Sequence, residues 1–115
     1  MTDLKARTKR YALRVIRLTE SLPKGRSTEV IGRQLLRSAT SVGANYRAAC
    51  RSRSVADFVA KMTLVEEEAD ESNYWLELLV EAKLVEAKRL EPLMKETGEI
   101  VAIAVSSIKT ARKRL

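Results

Sequence analysis

The chain has 115 residues, 45% of them hydrophobic and 32% charged, with one Cys, two Pro, four Gly and no His. That length allows one hydrophobic core and not two, and the balance is that of a soluble, helix-rich domain rather than a disordered tail. Lack of His removes the commonest metal ligand and general base, and the lone Cys50 excludes an internal disulfide or a multi-Cys metal centre.

No apolar run approaches the roughly 20 residues that span a membrane, and no apolar signal region follows the charged residues of Met1–Arg7. A cytoplasmic protein with no membrane partner is the expectation.

Four segments carry helical periodicity. The first spans 4–22, with Leu4, Thr8, Tyr11, Val15, Leu18 and Leu22 on one seam. Asp3 or Thr2 is placed to cap it, and Pro23-Lys24-Gly25 to end it. The second spans 28–51, capped by Ser27 or Thr28, with Ile31, Leu35, Ser38, Val42, Asn45 and Ala49 facing inward. Gly43 in mid-helix, at a cost of about 1 kcal/mol relative to Ala, predicts a bend or a close helix crossing.

Ser54 and Asp57 resemble a capping box before the third helix, 55–83, whose seam is Phe58, Met62, Val65, Ala69, Ser72, Leu76 and Leu79. The fourth is predicted over 91–114, with Pro92 in its first turn and Met94, Thr97, Val101, Ala104, Ile108, Ala111 and Leu115 as its seam. No stretch alternates as a strand would. The pattern predicts a single all-α domain over 1–115, an antiparallel up-down-up-down four-helix bundle.

The third helix carries a second apolar stripe of Ala60, Leu64, Trp75, Leu78 and Ala82, with Glu67, Glu68 and Glu71 in or beside it. Leu64, Glu67, Glu68, Glu71, Trp75 and Leu78 are therefore candidate subunit-interface residues. The alternative is that this helix is central, with two neighbours in its own chain.

The net charge of +7 is unevenly spread. Residues 1–54 hold 13 basic and 3 acidic side chains, residues 55–91 hold 4 and 10, and residues 92–115 hold 5 and 2. Arg7, Arg10, Arg14 and Arg17 form a ridge on the first helix, and Arg33, Arg37, Arg47 and Arg51 a second row on the next. With the tail residues Lys109, Arg112, Lys113 and Arg114 they could neutralise phosphates with little sequence preference. Equally, some of them could answer the Glu67/Glu68/Glu71 cluster.

Catalytic chemistry is poorly represented. Di-iron bundles need Glu-x-x-His motifs, and no phosphate loop or nucleophile elbow is present, so no catalytic, cofactor or metal residue is assigned and an enzyme is not expected.

The run from Leu36 to Tyr46, Leu-Arg-Ser-Ala-Thr-Ser-Val-Gly-Ala-Asn-Tyr, resembles a segment of the bacterial four helix bundle protein family, which includes proteins encoded by intervening sequences within large-subunit ribosomal RNA genes. Arg51-x-Arg53-Ser54-x-x-Asp57-Phe58, Glu67-Glu68-Ala69-Asp70-Glu71 and Tyr74-Trp75-Leu76-Glu77-Leu78-Leu79 continue the likeness, which covers about Tyr11 to Arg112. The resemblance implies a homo-oligomer, a pentameric ring, with no established activity for most members. A related group, the accessory variability proteins of retroelements, implies nucleic acid (RNA or DNA) and a reverse transcriptase as partners. Two departures are Gly43, where members often carry Pro, and Arg47-Ala48-Ala49, which replaces a common Glu-Gly. The chain is thus expected to be a self-assembling bundle that binds nucleic acid, or else a structural adaptor whose ring binds another protein.

Overall fold

Capping chemistry sets where two of the helices begin. In the computed structural model, which describes residues 3–115, Asp3 accepts a hydrogen bond from the backbone N–H of Ala6 at 3.3 Å and opens α1, Leu4–Glu20. Thr2, the alternative cap, lies outside the described residues. Ser54 accepts from the N–H of Asp57 at 3.0 Å and opens α3, Val55–Glu81. Asp57 reaches back to the N–H of Arg53 rather than of Ser54, at 3.4 Å, so the box closes one residue early.

The other two starts differ from the sequence expectation. α2 spans Arg26–Cys50 and begins after Gly25, with no side-chain cap; Thr28 is buried instead. α4 spans Ala87–Arg112, one turn earlier than its proline suggests. Pro92 therefore sits inside the helix, where it removes the bond that would reach the carbonyl of Lys88, an exposed position that water can satisfy. Buried Val85 and Leu90 flank the first turn and hold it against the core.

A Schellman motif at the end of α3 makes that early start feasible. Leu84 N–H donates to the Leu79 carbonyl at 2.9 Å and Lys83 N–H to Val80, also at 2.9 Å. Lys83 stands at φ 61, a left-handed position that glycine occupies without strain. Lys83→Gly is expected to raise stability by about 0.5 kcal/mol, the relief of strain less the added unfolded-state entropy. Chemical denaturation checks the sign.

The seams of α1, α2 and α3 bury nearly as the periodicity predicts. Asn45 is only half-buried, its side-chain amide donating to the Ser41 carbonyl at 2.8 Å. On α4 the seam is rotated. Leu93 and Ile100 are buried where Met94 and Val101 were expected, and Leu115 is 75% exposed. α2 packs on α1 and α3, α4 packs on α3, and α1 meets α4 over a short stretch. Gly43 is the close crossing: a methyl group there would lie 3.3 Å from Thr8 Oγ1 and 3.5 Å from the Thr8 carbonyl oxygen. The result is an antiparallel four-helix bundle 47 Å long and 20 Å across.

Besides Thr8 and Thr28, four buried hydroxyls, one from each helix, meet in pairs inside the core. Tyr11 and Thr97 are 2.7 Å apart, and Ser38 and Ser72 are 2.8 Å apart. Thr97 donates to the Leu93 carbonyl, so its oxygen accepts from Tyr11, while Ser38 and Ser72 share one hydrogen bond and each also reaches a carbonyl of its own helix, Leu35 at 3.2 Å and Glu68 at 2.9 Å. Burial pushes the Tyr11 phenol above its ordinary pKa, and hydrogen bonding with Thr97 and Ser72 draws it part of the way back. Among the described residues no buried side-chain polar atom lacks a partner.

Candidate nucleic-acid interface

The ten basic candidates divide into three groups. Arg7 and Arg37 are committed to carboxylates. Arg7 Nε and Nη2 each bond the Glu96 carboxylate at 2.7 Å, and Nη2 also meets Glu99, tying α1 to α4. The Arg7 and Glu96 side chains are 16% and 17% exposed, and the guanidinium holds the Glu96 carboxyl below its ordinary range. Arg37 bonds Glu68 at 3.1 and 3.3 Å and also Glu71, joining α2 to α3. Glu68 and Glu71 are therefore answered within the chain by Arg37. Glu71, which also accepts from Trp75 Nε1 at 2.9 Å, has its pKa lowered by Trp75 and Arg37. Glu67 is exposed and makes no ion pair among the described residues.

Arg10, Arg14, Arg17 and Arg33 form the second group. Arg10 and Arg14 feel the Glu96 charge, while Arg33 lines a hollow at the far end of the bundle beside Lys24 and Glu29. These four do not converge with the rest.

The third group is Arg47, Arg51, Arg112 and Lys113, all exposed. They belong to two stretches without a single acid, residues 42–56 and 100–115, which also hold Arg53, Lys109 and Arg114. The antiparallel fold brings the end of α2, the turn after it and the end of α4 to the same end of the bundle. One open cleft of about 570 Å³ has Arg53 on one wall and Arg114 on the other. Asp3 shares a hollow with Lys5, Lys9 and Arg47, and Glu66 one with Lys109 and Arg112, so the acids at this end are few. Cations at two helix C-termini also complement the carbonyl dipoles there, which explains part of the clustering. Arg53 escaped the sequence reading as a binding residue. The signal that marks it is the absence of acids in both stretches, which a count over whole thirds of the chain conceals.

The interface candidates on α3 are mixed. Trp75 and Leu78 are half-buried against the bundle's own core, as a central helix requires, while Leu64 is 45% exposed. Beside Trp75, Tyr74 is 53% exposed and meets its ring edge to face at 5.0 Å. Among the described residues no His, Cys, Asp or Glu cluster has metal-binding geometry, and no helix is long and apolar enough to cross a membrane.

Residues 2–106 match the model of a protein family described as 23S rRNA-intervening sequence protein. A solved structure from Bacteroides thetaiotaomicron, a protein of unknown function from the S23 ribosomal protein family, is similar at 35% identity. The likeness covers 91% of this chain and 97% of that one, with a TM-score of 0.85. No curated protein matches the chain.

Proposed function

Because the chain belongs to the 23S rRNA-intervening sequence protein family, we propose that it is a non-enzymatic, self-associating bundle whose basic end binds nucleic-acid backbone. One observation carries this reading: two acid-free stretches, far apart in sequence, supply seven basic side chains to one end of a 47 Å rod. Polyanions are attracted to such a pole, and contact through Lys and Arg to phosphates is tolerant of sequence.

Anisotropy with labelled RNA and DNA tests it. Between about 50 and 200 mM salt, affinity is expected to fall about a hundredfold, the loss for roughly four neutralised phosphates. The double reversal Arg51→Glu/Arg112→Glu should reduce the salt slope by about 2. No binding at the lower salt would overturn the reading.

The exposed apolar surface of α3 favours a second role. Leu64, Tyr74 and the open side of Trp75 offer a face to another copy of the chain, with Glu68 and Glu71 beside it paired to Arg37. Five copies, the ring size that the family resemblance implies, are the proposed assembly. Sedimentation should give a multiple of 12.9 kDa. A monomer would remove the assembly. An oligomer indifferent to nucleic acid would leave an adaptor for another protein.

A further inference from the structure

α1 is 17 residues long and its partners are 25 to 27. Its first turn lies level with Glu96 and Glu99 of α4, through Arg7. Beyond that level the last two to three turns of α4 have no α1 beside them. The cleft of about 570 Å³ occupies this gap, within the size range of small-ligand sites.

Its walls carry three kinds of chemistry. Phe58 is half-buried in the floor, where its ring also packs against the core. Arg53 and Arg114 stand at the rim, and Asp57, next to Phe58, pairs both carboxylate oxygens with Lys61 at 2.8 Å and also accepts from the Arg53 backbone N–H at 3.4 Å. Ser106, Ser107 and Thr110 line the α4 side. Elsewhere in this bundle, including earlier in α4 itself, Ser and Thr hydroxyls fold back onto a carbonyl one turn earlier, as Thr8, Ser41, Thr63 and Thr97 do. Among the described residues these three make no such bond, so their hydroxyls are free to meet a ligand.

The geometry points to a site for one unstacked nucleotide of a single strand: the base against Phe58, the phosphate between Arg53 and Arg114, and the sugar edge along the α4 hydroxyls. A base inside a duplex cannot reach an aromatic floor, whereas a splayed base can, and hydroxyls at the sugar favour a strand bearing 2′-OH groups. This inference rests on the nucleic-acid reading and narrows it from backbone in general to single-stranded RNA.

Affinities for a labelled single-stranded 12-mer RNA, the same DNA and the corresponding duplex, at one salt concentration, test the site. The single-stranded RNA is expected to bind about tenfold more tightly than the duplex. Phe58→Leu keeps apolar volume for the core and should weaken the single strand about tenfold, leaving the duplex unchanged. Ser106→Trp, on the exposed surface of α4, fills the cleft and should do the same. Melting curves verify that both variants fold. Equal affinity for strand and duplex, or variants that weaken neither or both alike, would overturn the cleft while salt-dependent duplex binding kept the basic end. Binding of none of the three would overturn both.

Discussion

Tyr11→Ala is expected to cost about 4 kcal/mol and lower the melting temperature by about 20 °C. The ring is fully buried between helices, so truncation leaves a cavity that the surrounding backbone closes only in part. It also strands the Thr97 oxygen, which keeps its own donation to Leu93 but loses its incoming proton. Tyr11→Phe separates the two losses. It retains the ring and removes only the hydroxyl, so about 1 kcal/mol should suffice. Equal melting temperatures for the two variants would show that volume contributes nothing, contrary to the packing.

Arg7→Ala is the second large effect, at about 2 kcal/mol. The Arg7–Glu96 pair is neither a solvated surface bridge, worth 0 to about 1 kcal/mol, nor fully buried, where breaking it costs about 3 to 5 kcal/mol. With side chains 16% and 17% exposed it lies between, and the variant leaves Glu96 half-covered with no cation bound to it. The damage should be local, because α1 meets α4 over a short stretch only. Hydrogen exchange is expected to accelerate in α1 before α2 and α3.

Acid should imitate the mutation. Arg7 lowers the folded pKa of Glu96 below its unfolded value of about 4.3. The stabilisation is therefore complete above that unfolded value and is lost as pH falls through the lower folded one. Glu96→Gln should flatten this part of the pH profile. An unchanged acid limb in the variant would mean another carboxylate controls it.

Three seams and two caps were legible because a 3.6-residue period and short polar caps act locally. The early start of α4 was not, since a left-handed Lys83 can close a Schellman motif without the glycine that would announce it. Pro92 likewise suits a first helical turn by propensity, but burial of Val85 and Leu90 extends the helix before it. The arginine ridge of α1 was legible as a pattern and not as chemistry. Whether Arg7 is free or paired depends on which helix lies beside it, and Glu96 is 89 residues away. The cleft had no local signal at all, because it arises from the unequal lengths of α1 and α4.

The four-hydroxyl layer has a consequence for how many structures this sequence can adopt. Leucine, valine and alanine seams are nearly interchangeable, so a helix sliding by one turn, about 5.4 Å, would still bury alkyl against alkyl. The hydroxyls are not interchangeable. A one-turn slip of α1 would separate the Tyr11 phenol from Thr97, leaving polar atoms facing hydrocarbon at a cost of about 1 to 3 kcal/mol each. Slippage between α2 and α3 would do the same to Ser38 and Ser72. The layer thus works as an index mark: it adds little to the depth of the correct arrangement and raises the energy of its near copies.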